Sequence, residues 1–248
     1  MIILKSPQEI DRMKVSCRMV AEILEILKCS AKPGVTTHAL NLIAEKEAGK
    51  RGAKPAFKGY SGYPYSLCCS VNEQVVHGMP IGRKLFDGDI LSIDFGVVYD
   101  GYYGDAAITL PIGEISVTAQ RLIRVTEESL YAAITATRPG NRLSDISHAV
   151  QSYAESNGFS VVREFVGHGI GKNLHESPQI PNFGLPGRGV RLKAGMVFAI
   201  EPMINEKGPE VRVLDDGWTA VTFDAGLSAH FEHTVALTEE GNEILTQL

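Results

Sequence analysis

ILSIDFGVVYDGYYGDAA, residues 90–107, is the stretch on which the fold turns. From Ile90 to Val98 the residues alternate with the period of a half-buried strand. Leu91, Ile93, Phe95 and Val97 fall on one face, and Ser92, Asp94 and Gly96 on the other. Tyr99-Asp100-Gly101-Tyr102 carries an Asp-Gly turn signal, so a second strand is expected to run back along the first. A two-residue loop pairs Tyr99 with Tyr102, sets Asp94 opposite Ala107 and leaves Asp105 one diagonal step away on the same face. Any loop of even length preserves that arrangement, whereas a three-residue loop would send the two acids to opposite faces. Asp100, in the turn itself, is read as a solvated surface residue.

Working outward, GDILSID has a counterpart in GMVFAIE: a shift of 107 carries Gly88 onto Gly195 and Asp94 onto Glu201. A shift of 106 lays Lys32-Pro33-Gly34 on Arg138-Pro139-Gly140 and Gly52 on Gly158. Ahead of the first Pro-Gly site, Ser6-Pro7-Gln8-Glu9 reads as a capping box with Pro at the first helical position. Ile10, Met13, Val20, Ile23 and Leu27 follow at helical spacing. That helix is expected to stop before Lys32, and a second to run from about Thr37 to Lys50, with Gly52 as a left-handed cap just past its end. Each half thus reads as helices followed by strands that end on a carboxylate. The chain is predicted to be one α+β domain, 1–248, built from an internal repeat of roughly 1–115 and 116–248.

At 248 residues, 44% hydrophobic and 21% charged, the chain can bury a sizeable core. Its 24 basic and 29 acidic residues give a net charge of -5, which disfavours nucleic acid or an anionic membrane as partner. No apolar run approaches the roughly 18 residues of a membrane span. The opening Met-Ile-Ile-Leu meets Lys5 before a signal-like stretch can form, so a cytoplasmic location is expected. Cys17, Cys29, Cys68 and Cys69 show neither CxxC spacing nor disulfide-scaffold density, and are read as reduced thiols.

Glu201 in AIEP and Glu232 in HFEHT lie among apolar or β-branched neighbours, where acids seldom sit without a partner. If the repeat brings the halves face to face, Asp94, Asp105, Glu201 and Glu232 converge. Each close like-charged pair then costs about 4 kcal/mol at an effective dielectric near 20. Protonation or a divalent metal must offset this. Two divalent cations balance four carboxylates and would leave a bridging hydroxide as nucleophile. The alternative is that the acids are structural, satisfied by lysines and backbone amides. His168, framed by glycines in VGHGIG, is the candidate nitrogen ligand; that frame suits close backbone approach and not helix or strand stability. His175, seven residues on, and His77, at the end of an apolar strand, could donate hydrogen bonds to a substrate. His38 and His148 fall on amphipathic helices and are read as solvated, while His230 and His233 flank Glu232 without an assigned role. An oxygen-rich set with one imidazole suits manganese, iron or cobalt, or zinc or magnesium, better than a thiolate-seeking metal.

VNEQVVHGMP, SIDFG with GYYGDAA, VGHGIGKNLHE, AIEPM and AHFEHT occur in this order across essentially the whole chain. With these motifs the sequence resembles the type I methionine aminopeptidases of bacterial form, within the pita-bread superfamily of metallopeptidases. The resemblance implies two pseudo-twofold αβ halves around a curved antiparallel sheet. It implies two divalent metal ions held by Asp94, Asp105, His168, Glu201 and Glu232, with Asp105 and Glu232 bridging both. His77 and His175 would contact substrate, His175 stabilising charge on the scissile carbonyl oxygen, and Glu201 would move a proton between the metal-bound water and the leaving amine. The methionine pocket would draw on Phe57, Tyr60, Tyr63, Cys68, Leu174 and Trp218. Cys69, next to Cys68, would face the other way. Trp218 reads equally well as an ordinary core anchor.

The implied substrate is the N-terminal methionine of nascent polypeptides and peptides with a small second residue, and the implied state is a monomer. Transient docking to the ribosome is conceivable for such an enzyme, but no basic patch in the sequence argues for it. Two features depart from the pattern: Gly96 stands where many relatives carry threonine, and Leu174 where some carry phenylalanine. No zinc-binding extension is expected ahead of the domain, and the 31 positions from Glu201 to Glu232 are too few for a type II insertion. An aminopeptidase P or prolidase acting at X-Pro bonds, and a non-catalytic binding module of the same fold, are the competing readings.

Overall fold

The computed structural model describes all residues, 1–248. Helix α1 (Pro7–Ser30) starts where the capping box predicts: the Glu9 amide donates to the Ser6 hydroxyl at 3.3 Å, and the Ser6 amide to Glu9 Oε2 at 3.0 Å. Helix α2 (Thr37–Lys50) is followed by Gly52 at φ +70°. Then come β1 (Lys54–Pro55), β2 (Cys68–Val71), β3 (Gln74–Val76), β4 (Ile90–Tyr99) and β5 (Tyr102–Pro111). The second half opens with α3 (Val117–Ala136) and α4 (Leu143–Ser156). Strands β6 (Ser160–Val161), β7 (Gly167–Gly169), β8 (Glu176–Ile180), β9 (Val197–Ile200) and β10 (Met203–Asn205) follow. The chain ends in β11 (Val211–Val213), β12 (Ala220–Thr222), β13 (Ser228–His230), β14 (Glu232–Thr238) and β15 (Gly241–Ile244).

The main sheet has nine strands, ordered β1-β4-β5-β14-β9-β7-β8, with β2 added on β4 and β15 on β14; its pairings are antiparallel. This is the helix-covered, curled sheet of the pita-bread fold. In the β4–β5 hairpin Asp100 and Gly101 both take positive φ, 48° and 77°, as the tight primed turn demands. The register follows: Tyr99 faces Tyr102, Asp94 faces Ala107 and Gly96 faces Asp105. Two further three-stranded sheets have the orders β13-β10-β6 and β11-β12-β3.

Helices cover one face of the main sheet. Leu91, Ile93, Phe95 and Val97 pack on Val20, Ile23, Leu27, Leu40 and Ala44 of α1 and α2. Phe198, Ile200 and Val235 pack on Leu122, Leu130 and Val150 of α3 and α4. Truncating a fully buried side chain such as Phe95 costs about 3–5 kcal/mol, so each helix layer is held mainly by this apolar face. The opposite face of β4 corrects the half-buried expectation. Ser92 is buried with its hydroxyl 2.8 Å from that of Thr109, and Gly96 lies beneath Ala56 and Phe57. The polar side of the hairpin faces the cavity and the second half of the chain, not solvent. All four cysteines are free thiols, and no helix is long and apolar enough to cross a membrane.

Candidate metal centre and substrate cavity

Five adjacent strands of the main sheet deliver the candidate ligands in spatial order: Asp94 on β4, Asp105 on β5, Glu232 on β14, Glu201 directly after β9, and His168 on β7. On a flat sheet, β5 and β7 would stand about 14 Å apart, three spacings of about 4.8 Å. Ligand atoms of Asp105, His168 and Glu232 instead all lie within 4.8 Å of one another, because the sheet curls about them. Glu201 Oε1 is 3.5 Å from His168 Nε2. Asp94 and Glu201 line the same cavity but lie outside that tightest trio. The glycine-framed His168 segment corrects the sequence reading: it is a strand, paired with β9 on one side and β8 on the other. Its glycines are there because a Cβ at Gly167 would sit 2.5 Å from the Ala199 carbonyl oxygen, and one at Gly169 would strike that of Ser177.

The acids are not satisfied by the protein. Asp94 Oδ1, Asp105 Oδ1 and Glu232 Oε1 are buried without a hydrogen-bond partner. No lysine or arginine pairs with any of the four carboxylates, whose only charged-type contacts are from His168 and His230 to Glu201. Burial pushes Asp94 up to about 7. Burial first, and neighbouring carboxylates second, push Asp105, Glu201 and Glu232 well above the usual range. This excludes structural acids held by lysines and fits a divalent cation, the partner that lets such a cluster ionise together. His168 is set up for the same task. Its Nδ1 donates to the Gly169 carbonyl at 2.8 Å, which leaves the Nε2 lone pair free on the side of Glu201. Burial drives the His168 pKa down to about 3, so the contact with Glu201 is not an ion pair.

Besides the acids the same cavity, about 320 Å³, is lined by Phe57, Tyr60, Tyr63, Cys68, Leu174 and Trp218, and by His77 and His175. Cys68 stands opposite Asp94 in the β2–β4 register, and Cys69, opposite Ile93, joins the helix-side core. Trp218 is half-buried, edge-on to Tyr63 at 5.1 Å between ring centroids, and so belongs to the cavity wall. His77, in the left-handed region at φ 59°, rests edge-on against Phe165, and burial lowers its pKa to about 4. Burial also lowers that of His175, whose Nδ1 lies 2.7 Å from the Tyr60 hydroxyl. A Cβ at Gly96 would approach Asp105 Oδ1 to 3.0 Å and Ala56 and Phe57 to 3.1 Å, so here Phe57 fills the room a threonine would need.

The sequence reading missed Ser61 and gave His230 no role. Ser61 lines the cavity at φ 49°, and its only signal was its place in the Gly59-Tyr60-Ser61-Gly62 turn. His230 is buried with both ring nitrogens unpartnered, Nε2 3.7 Å from Glu201 Oε2, and its backbone is locked by Thr109. His233 turns away to Thr246, and His38 and His148 are exposed.

The pattern that defines metallopeptidase family M24 matches residues 11–239. A methionine aminopeptidase of Clostridium perfringens is 55% identical over 246 residues, covering 99% of each chain. Methionine aminopeptidase 1 of Bacillus subtilis is 54% identical over 248 residues, 100% of each. The solved methionine aminopeptidase of Thermotoga maritima superposes with a TM-score of 0.98 at 51% identity over the full length of both. By a match that runs from the first helix to the end of β14, in sequence and in fold alike, this chain belongs to metallopeptidase family M24.

Proposed function

We infer that this chain is an aminopeptidase that hydrolyses the bond after an N-terminal methionine in peptides and newly made proteins, preferring a small second residue. The observation that carries the reading is one cavity lined both by buried carboxylates without partners and by Phe57, Tyr63, Cys68, Leu174 and Trp218. A thioether is flexible and polarizable, and ring edges and a thiol suit it. The preference for a small second residue is carried over from the resemblance of the motifs.

Asp94, Asp105, His168, Glu201 and Glu232 would hold two divalent cations, whose charge of +4 offsets the four carboxylates; manganese, iron, cobalt, zinc and magnesium suit that oxygen-rich set. When bound, such ions polarise the scissile carbonyl and acidify water. The chain's own residues do the rest. His175, neutral and held by Tyr60, would donate a hydrogen bond to the carbonyl oxygen as charge develops on it. His77, also neutral, would contact the peptide. Burial, with Asp94 and Asp105 beside it, raises the pKa of Glu201 and makes its carboxylate a stronger base than an exposed one. It would take a proton from the attacking water and deliver it to the leaving amine.

Cleavage of Met-Gly-Met-Met against a Gly-Pro dipeptide, with and without a chelator, tests the reading: metal-dependent turnover of the first is expected. Cleavage of the proline substrate alone would assign the site to X-Pro peptides instead. A pure protein that binds no metal and turns over neither would point to a binding module. The same reading carries a monomer acting in the cytoplasm on nascent chains, with transient access to the ribosome. It also carries one domain built by duplication, which the spans of α2 and α4 support, both ends displaced by 106 positions (37 to 143, 50 to 156).

A further inference from the structure

His168 and His175 stand with their ring centroids 4.3 Å apart and their planes at 88°, yet they face opposite hydrogen-bonding partners. His168 Nδ1 meets a backbone carbonyl, which can only accept, so that ring keeps its proton on Nδ1 and its lone pair on Nε2. His175 Nδ1 meets the hydroxyl of Tyr60, which can donate. The separation of 2.7 Å is typical of an O–H donor and short of the roughly 2.9–3.0 Å preferred by N–H donors. A phenol oxygen, its lone pair drawn into the ring, is a poorer acceptor than an imidazole nitrogen.

We propose that Tyr60 is a positioning residue: its hydroxyl donates to His175 Nδ1 and holds that imidazole in the tautomer with its proton on Nε2, ready to donate to the carbonyl oxygen of the bond being cut. This rests on the aminopeptidase reading of the cavity. Adjacent imidazoles are thereby fixed in opposite roles, His168 as lone-pair donor to a cation and His175 as proton donor to substrate.

The backbone around Tyr60 is shaped for the task. Gly59 and Gly62 take φ of 86° and 91°, and Ser61 between them takes 49°, a region that residues with side chains seldom enter. The turn is closed by the Tyr60 amide on the Phe57 carbonyl and the Tyr63 amide on that of Tyr60, each at 2.9 Å, and by the Gly59 amide on the Tyr63 carbonyl at 2.8 Å. A left-handed serine at the mouth of a cavity is the kind of backbone conformation that clusters at working sites. Here it turns the Tyr60 ring edge-on to His175, with centroids 5.0 Å apart.

Tyr60→Phe keeps the ring and removes only the hydroxyl. In long-range proton–nitrogen spectra of the metal-free protein, with His175 assigned by comparison with His175→Gln, the wild type should show an unprotonated Nδ1 and a protonated Nε2. The variant should show a mixture. On the loaded enzyme, kcat for Met-Gly-Met-Met should fall about tenfold, less than the ~10²–10³ lost when an oxyanion donor is deleted outright, with KM changed by less than about twofold. A wild-type His175 protonated on Nδ1 would overturn the assignment, as would a Tyr60→Phe variant with unchanged spectrum and kcat. Should neither protein cleave the peptide with any divalent cation, the aminopeptidase reading fails, and the spectra still decide whether Tyr60 sets the tautomer.

Discussion

Lys5 offers the sharpest test of how the substrate wall is anchored. Its ammonium lies 2.6 Å from Glu176 Oε2, and each side chain is only 4% exposed. Glu176 directly follows His175 and opens β8. Its other oxygen accepts the Asn173 amide at 3.2 Å, and the Lys5 backbone is tied by its own amide to the Gly195 carbonyl at 2.7 Å. The pair therefore fastens the N-terminal segment to the Gly171–Glu176 loop that carries Leu174 and His175. In Lys5→Met the carboxylate stays buried with one amide left to it, and loss of one partner from a buried pair costs about 3–5 kcal/mol. For a chain of this size each kcal/mol moves the melting midpoint by about 2–4 °C, so a drop of about 6–20 °C is expected. Urea unfolding at neutral pH, with thermal melting beside it, measures this. The control is Lys5→Met with Glu176→Gln, which removes the stranded charge while keeping the Asn173 contact, and should recover about half of the loss or more. A single variant that loses under about 1 kcal/mol, or a double variant no more stable than the single, would refute the account.

His168→Ala and Glu201→Ala should each lower kcat/KM by more than about a hundredfold, beyond the effect of losing an outer partner of a metal ligand, with circular dichroism unchanged. Full turnover in either would show the centre to be misplaced. Gly96→Thr should raise KM for a methionyl peptide and cost about 1–3 kcal/mol by displacing Phe57, and unchanged KM and melting would show the space to be free. In the metal-free protein Asp94 is raised from 3.8 to about 7, so between those values the folded chain holds a proton that the unfolded chain releases. Stability contributed at low pH is therefore lost as pH rises through this window, and a divalent cation should restore it. Urea midpoints at about pH 5 and about pH 8, with and without cation, check the sign, and a metal-free protein that gains stability relative to the loaded one as pH rises would contradict it.

The hairpin was legible because its register is local: an Asp-Gly turn of known length settles which face Asp94 and Asp105 share. The helices were legible for the same reason, through Ser6 and Glu9 at one end and Gly52 at another. The meeting of Glu232 with Ala107 spans 125 positions (232 minus 107), and no periodicity encodes it. The repeat and the family motifs pointed to the two halves, while the pairing of β5 with β14 needed the fold. The Gly-His-Gly segment misled because glycine's weak strand preference describes an isolated strand. Between β8 and β9, with backbones too near for any Cβ, glycine is the residue that lets a strand exist. Ser61 and the bond from Tyr60 to His175 lay beyond reach because they depend on where a turn near residue 60 lands against a loop 115 positions further along.

The two halves of the main sheet are joined at β5 and β14 by only two register pairs, Ala107 with Glu232 and Ala106 with His233. An ion seated between Asp105 and Glu232 would act as a rivet across that narrow joint. The entropy of gathering its ligands is lost when the chain folds, before any ion arrives, so the grip is that of a preassembled chelator. Starving the protein of metal would then do more than silence chemistry: it would loosen the joint itself and let the molecule breathe along this two-pair seam, which amide exchange would register at Ala106, Ala107 and their partners.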